Sequence, residues 1–244
     1  MRIAVVADIH GNLAALEAVV ADIAGQAPDL VVNLGDCVSG PLEPAGTLDL
    51  LMETAWPTVM GNHDRALVDR PPEKMGTWDR PAFDALSPTH LDWIRALPAT
   101  LFLEGVFLCH GTPAKDTHYL LEEPVAGHLV LRAMEEVAAE VEGIAAEVIL
   151  CGHSHMPRHL ALADGRLVVN PGSVGAQAYR DGKPSGHVMQ NGSPHARYAV
   201  LDRGPHGWTV SHRFVTYDWN GAADRVLANG HPEWEKALRF GRMG

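Results

Sequence analysis

The sequence predicts an α/β fold whose first half is a largely parallel sheet, and three observations carry that prediction. Short runs of small and β-branched apolar residues alternate with stretches of helical periodicity: "IAVVAD" (3–8), then Leu13, Leu16, Val20 and Ile23, then "DLVVNLGD" (29–36). Such alternation indicates strands joined by crossover helices. The apolar runs are near-continuous, as strands buried on both faces require. Most of them also end in glycine beside a carboxylate, amide or imidazole, which puts polar chemistry at the carboxyl ends of the strands.

Taken in order, the first strand leads into a helix that stops near Gly25, and "DLVVNLGD" is the second strand. "LDLLMET" (48–54) reads as a helix and "TVMGNHD" (58–64) as a third strand end. Residues 65–100 read as a helical insertion. In it "SPTHLDWIRAL" (87–97) offers Ser87 as N-cap, Pro88 at the first helical position, and Leu91, Ile94 and Leu97 along one face. Two more strands, "VFLCHG" (106–111) and "EVILCGH" (147–153), flank a helix expected over about 125–142. "GRLVVNPGS", "ARYAVLD" and "WTVSHRFVTY" follow without intervening helices and are expected to be antiparallel, and "HPEWEKALRFG" closes the chain as a short capped helix. Nothing marks an internal boundary, so one domain over residues 1–244 is expected, with the insertion at about 65–100 and a polar loop at about 176–198.

Composition narrows the function classes. A 46% hydrophobic and 20% charged chain is an ordinary soluble globular protein, and no apolar run approaches the ~18 residues of a membrane span. The N-terminus reaches polar residues too early for a signal peptide, so a cytoplasmic location is expected. Cys37, Cys109 and Cys151 do not form a disulfide framework; they read as small apolar fillers beside the strand ends. A formal net charge of −11 argues against non-specific binding to nucleic acid or anionic membrane. Residues 158–213 nevertheless hold seven Lys/Arg against three Asp/Glu, a stretch that could face an anionic substrate or simply solvent.

The polar strand ends form a constellation. Asp8 and His10 follow the first strand, Asp36 the second, and Asn62, His63 and Asp64 the third. His110 follows the fourth, and His153 and His155 the fifth. One histidine alone is ordinarily a hydrogen-bonded core residue, but five consecutive strand ends of this kind converge on one place and specify a metal site. Asp8 and His10, like His153 and His155, are two apart, so in an extended segment each pair points to one side. Oxygen and nitrogen donors without thiolate suit Mn, Fe, Zn, Co or Ni. Seven donors exceed the needs of one catalytic ion, which keeps a position open. Two ions about 3.5–4 Å apart can hold a bridging hydroxide and support displacement at phosphorus. Phosphoester hydrolysis leads on this reading, with aminopeptidase-type hydrolysis left open.

In order, "DIHGN" (8–12), "GDCVSGP" (35–41), "GNHD" (61–64), "HGTP" (110–113) and "GHSH" (152–155) resemble the signature of the calcineurin-like metallophosphoesterase superfamily. "NPGSVG" (170–175) resembles its small prokaryotic phosphodiesterase-like branch. The resemblance covers residues 3 to about 202. It implies a four-layer α/β/β/α sandwich of two mixed β-sheets flanked by helices. It also implies that Asp8, His10, Asp36 and His155 hold one metal, and that Asp36 bridges to a second held by Asn62, His110 and His153. His63 would protonate the leaving group and, with Asn62, contact phosphate, while Asp64 would orient the turn.

The chain departs from the pattern in two places. Protein Ser/Thr phosphatases of the superfamily read Gly-Asp-x-Val-Asp-Arg-Gly where this chain has "GDCVSGP", so Ser39 and Gly40 replace an Asp that orients the catalytic His and an Arg that grips phosphate. A protein phosphatase role is disfavoured, and the partner of His63 is left unidentified. Residues 176–198 are polar and glycine-rich, and Tyr179, Arg180 and Lys183 there could supply phosphate contacts or form an exposed hairpin loop. The expected activity is hydrolysis of a small phosphodiester or nucleotide. Alternatives are a phosphomonoesterase, a dinucleoside polyphosphate hydrolase and, more remotely, an inactive interaction scaffold. A homo-oligomer stays open.

Overall fold

The computed structural model describes residues 1–182 and 185–244; Lys183, named above as a phosphate contact, lies outside them. The chain begins with strand β1 (Arg2–Val6), helix α1 (Leu13–Gln26), β2 (Leu30–Asn33) and α2 (Pro44–Thr54). Residues 62–95 form α3 (Asn62–Asp69), a 3-10 turn at Pro72–Lys74, α4 (Asp79–Ala85) and α5 (Pro88–Arg95). Then come β3 (Thr100–Leu103), β4 (Val106–Cys109), β5 (Glu122–Val125), β6 (His128–Leu131), α6 (Met134–Glu140) and β7 (Val148–Leu150). The rest is β8 (Arg158–Ala161), β9 (Leu167–Asn170), β10 (Ala178–Asp181), β11 (His187–Gln190), β12 (Ala196–Gly204), β13 (Gly207–Val215), α7 (Trp219–Ala228), a 3-10 turn at Pro232–Trp234, and α8 (Glu235–Phe240).

The α/β class holds, and all the sheets among the described residues are mixed. The first has the order β13-β12-β1-β2, the second β3-β4-β7-β9-β8, the third β10-β11-β6-β5. β1 and β2 run parallel, as do β4, β7 and β9. The continuous apolar runs have the predicted cause. On β1, Ile3 and Val5 pack with Val106, Leu108, Val148, Leu150 and Val169 of the second sheet. Ala4 and Val6, on the opposite face, pack with Leu16, Val19 and Ile23 of α1. The second sheet repeats this: Phe107, Ile149 and Val168 turn away from the first sheet towards Val137 and Val141 of the α6 segment. Each fully buried side chain of this size contributes about 1.5–3 kcal/mol, so the two-sided burial of β1 and β7 anchors the loops that follow them. The cysteines are all buried thiols packed among these residues, and burial pushes Cys109 up to about 12. No described helix is long and apolar enough to cross a membrane.

Four local expectations need correction. The helix over 125–142 is only α6, because residues 122–131 form the β5–β6 hairpin. Its turn, Ala126-Gly127, has φ of 50° and 82° at successive residues, the two-residue hairpin geometry a helix cannot contain. The third strand is reduced to a single parallel bridge, Asn33 to Thr58, because α3 starts at Asn62. The late strands are mostly antiparallel, but β9 joins β7 in parallel. The polar loop at 176–198 is largely the β10–β11 hairpin, which with β5 and β6 builds a third sheet beyond the two expected. Ser87 does cap α5, its side chain accepting the His90 N–H.

Candidate metal centre

The strand-end loops are held in a backbone conformation that side chains ordinarily avoid. Asp8, His10, Asp36, His153 and His155 have φ of 55°, 51°, 54°, 67° and 58°, the left-handed region. Each such residue costs on the order of 1–2 kcal/mol, and non-glycine residues in this state cluster where function holds them. A dense hydrogen-bond network enforces it here. The Ile9 and His10 amides both donate to the Asp36 carbonyl, at 2.9 and 3.0 Å, and Ser173 Oγ donates to the Asp8 carbonyl at 2.7 Å. Gly175 lies so close that a Cβ there would sit 1.8 Å from the Ile9 carbonyl oxygen. The paired motifs therefore converge by twisted backbone rather than by the extended alternation expected from their spacing.

The result is two trios, Asp8–His10–His155, all buried, and Asp36–His110–His153, in which His153 is half-buried, with ligand atoms within 4.8 Å of one another in each. His153 and His155 thus face different clusters. Asp36 stands between the two: its Oδ2 is 3.2 Å from His110 Nε2 and 4.0 Å from His10 Nε2. Asn62 Oδ1 approaches His110 Nε2 at 3.1 Å. The tautomers follow from the second nitrogen of each ring. His10, His110 and His155 donate Nδ1–H to the carbonyls of Ser39, Leu34 and Ala176, each at 2.8 Å. Their Nε2 atoms then point inward as the ligating nitrogens. His10 Nε2 and His155 Nε2 face each other at 3.1 Å. Two lone pairs at that distance repel unless a cation lies with them, so this donor set fits transition-metal ions.

Charge follows burial and neighbours. Burial holds His10 down to about 3 and pushes His153 and His155 well below the usual imidazole range. Burial opposes a charge on His110 as well, but Asp36 and Asp8 outweigh it and raise His110 to about 10. Asp8 is raised well above the carboxylate range by burial, while Asp36 stays low because the charges of His110 and His63 outweigh its burial.

His63 sits at the first turn of α3, half-buried, and does not join either trio. Its backbone N–H donates to Asp36 Oδ1 at 2.9 Å, and its Nδ1 lies 2.5 Å from Asp79 Oδ1. The ring stacks on Trp78 at 5.4 Å and 20°. Burial lowers the affinity of His63 for a proton, but Asp36 and Asp79 more than compensate and raise it. Neither Trp78 nor Asp79 carried any signal in the sequence, since both lie in the insertion outside every motif. Asp64 is buried and accepts three backbone N–H groups, in keeping with a turn-orienting residue.

A cavity of about 890 Å³ opens over the centre, and its lining includes His10, Asp36, Asn62, His63, Trp78, Tyr179 and Arg180. Arg180 is exposed on β10, whereas Tyr179 is buried, its hydroxyl bonded to Tyr119 at 2.9 Å and to the Ser154 carbonyl at 3.3 Å. Tyr119, also missed in the sequence, lies 4.8 Å from the His153 ring.

Two Asp/His clusters at the carboxyl ends of strands in paired mixed sheets define a metal-dependent phosphoester hydrolase. The chain belongs to the calcineurin-like phosphoesterase superfamily, whose domain model matches residues 1–191. It is 26% identical over 259 aligned residues to an uncharacterized protein of Methanocaldococcus jannaschii, covering 95% of this chain and 94% of that one. A metallophosphoesterase of Sphaerobacter thermophilus superposes with a TM-score of 0.73 at 25% identity, covering 98% of both chains. A hypothetical protein of Pyrococcus horikoshii superposes with a TM-score of 0.75 at 19% identity over 100% and 99% of the chains, a likeness of fold.

Proposed function

We propose that this protein hydrolyses a small phosphodiester or nucleotide using two transition-metal ions, Mn, Fe, Zn, Co or Ni. Asp8, His10, Asp36 and His155 would hold one ion and Asp36, Asn62, His110 and His153 the other. The observation that carries the reading is the approach of His10 Nε2 to His155 Nε2 at 3.1 Å while both rings donate Nδ1–H to carbonyls. When bound, the ions supply Lewis acidity that activates water and polarises the phosphoryl group. The chain's own residues do the rest. Asp36 ties the two clusters into one unit and also fixes α3 by accepting the His63 N–H. His63, with Nδ1 engaged by Asp79, presents Nε2 to the cavity and delivers its proton to the departing oxygen. Arg180, exposed on the cavity wall, offers a charge-assisted contact to the anionic substrate. A cavity of about 890 Å³ is larger than a phosphate with a small alcohol fills, which supports a nucleotide-sized ester over a simple monoester.

The test is an assay of protein reconstituted with each metal against parallel panels of phosphomonoesters, phosphodiesters and nucleotides. Metal-dependent turnover with diesters or nucleotides preferred is the expected result. Binding of metals without hydrolysis of any phosphoester would overturn it.

A further inference from the structure

We propose that Asp79, Trp78 and Trp234 form a positioning cage around His63, so that the helical insertion and the C-terminal segment set how this histidine meets the leaving group. This rests on His63 as the leaving-group acid. Asp79 holds Nδ1 at 2.5 Å. A carboxylate there accepts Nδ1–H, which leaves Nε2 as the only ring nitrogen free for the substrate. The carboxylate is buried with its other oxygen 3.6 Å from Arg70 Nη1, so it is itself anchored. Trp78 fixes the ring plane, stacked on His63 and set edgewise to His10 at 4.9 Å and 83°. Trp234, buried in the 3-10 turn before α8, backs Trp78 at 4.2 Å. The family model ends at residue 191, so this last support comes from outside the matched segment.

Ser39 and Gly40 of the loop "GDCVSGP" do not hold the His63 ring: the Ser39 hydroxyl makes no hydrogen bond among the described residues. The Ser39 carbonyl is committed to His10 Nδ1 at 2.8 Å. A Cβ at Gly40 would lie 2.4 Å from the His10 carbonyl oxygen and 3.4 Å from the Trp234 ring, so no larger residue fits at that position. Orientation of His63 therefore falls to a carboxylate reached only through the tertiary fold.

In the step itself, the P–O bond to the leaving group breaks as the Nε2 proton passes to the departing oxygen. His63 becomes neutral, keeps Nδ1–H on Asp79, and regains an Nε2 proton from solvent water. The attacking water forms the new P–O bond through its oxygen, and the proton it releases balances the one that His63 takes back. A phosphodiester and water thus give a phosphomonoester and an alcohol.

The test uses the full chain loaded with Zn²⁺, in wild type, Asp79→Asn, Trp234→Leu, His63→Asn and the double variant His63→Asn/Asp79→Asn. Metal content and thermal unfolding establish that each is folded and loaded. Asp79→Asn should lose about 10–100-fold in kcat on alkyl esters, a part of the roughly 10²–10⁴-fold that general-acid help is worth, and far less on p-nitrophenyl esters, with KM little changed. Trp234→Leu should shift in the same direction by less. In the His63→Asn background Asp79→Asn should cost nothing further, because the two act as one unit. Independently of activity, ¹⁵N-histidine spectra of wild type should show a downfield His63 Nδ1–H signal that disappears in Asp79→Asn. Additive losses in the double variant, or an Nδ1–H signal unmoved by Asp79→Asn, would overturn the cage. If no phosphoester is cleaved by any form, the functional reading fails and the spectra still decide the geometry.

Discussion

Asp64 Oδ2 accepts the backbone N–H of Asp36 at 2.8 Å, and the same carboxylate accepts the N–H groups of Cys37 at 2.9 Å and Gly61 at 3.0 Å. One buried side chain thus splices the second strand-end loop to the start of α3. Asp64→Ala leaves three buried donors unsatisfied, at about 1–3 kcal/mol each before relaxation. A lowered melting temperature and weakened metal binding at both clusters are expected, since Asp36 stands between them. Asp64→Asn, which keeps an acceptor oxygen, should be milder. Thermal unfolding with elemental analysis of the dialysed protein checks this; unaltered metal affinity in Asp64→Ala would contradict it.

Asp36 and Asn62 should differ in how many ions they cost. Asp36 lies between the trios, whereas Asn62 approaches His110 of the second trio. Asp36→Asn should deplete both ions, and Asn62→Ala should chiefly weaken the second. Elemental stoichiometry combined with anomalous scattering tells the two apart. A single fully occupied ion in metal-replete wild type would rule out the two-ion centre.

The leaving-group dependence of His63→Asn is the sharpest kinetic expectation. General-acid help is worth typically about 10²–10⁴-fold and is needed least when the leaving group is already good. The variant should keep its metals and lose far more activity on alkyl or nucleoside esters than on p-nitrophenyl esters. Equal losses on both, with metals intact, would mean that the ring positions phosphate instead.

Glu122 makes a pH-dependent contribution to stability. It is buried at the start of β5, neither carboxylate oxygen makes a well-formed hydrogen bond, and Arg158 Nε stands 3.7 Å away. Burial raises the group to about 7, with Ser154 and Arg158 offsetting it only in part. Between about 4.5, the ordinary value, and about 7 the folded state holds a proton that the unfolded chain has released. Stability therefore falls as pH rises through that window, by a few kcal/mol at most. Relative to wild type, metal-free Glu122→Gln should gain stability as pH goes from 4 to 8. Denaturant titrations at both ends measure it, and a difference that does not vary with pH would refute it.

Arg180→Ala should raise KM more than it lowers kcat, if its contact to the substrate is equal in ground and transition states. Its exposure on the cavity wall means that folding should be unaffected. Steady-state kinetics on the preferred substrate decide it, and identical constants would return β10 to a purely architectural role.

The linear order of residues by itself determined the α/β class, the apolar strands and the inventory of donors at their ends. Those features are local: a buried strand needs a continuous apolar run, and a sharp turn into a site needs glycine beside the polar residue. Ser87 as a helix cap and Asp64 as a turn carboxylate were legible for the same reason, because each accepts an N–H three residues away at its own helix start, although the bonds that Asp64 accepts from Asp36 and Cys37 are tertiary. The β5–β6 hairpin was not. Its turn residues, Ala126 and Gly127, sit in a stretch whose composition also suits a helix, and pairing with β11, about sixty residues on, decides between them. Only the tertiary structure brought His10 against His155, 145 residues apart, and Asp79 against His63. Contacts of that kind depend on where packed helices and sheets carry the chain, and no local pattern of side chains encodes that placement.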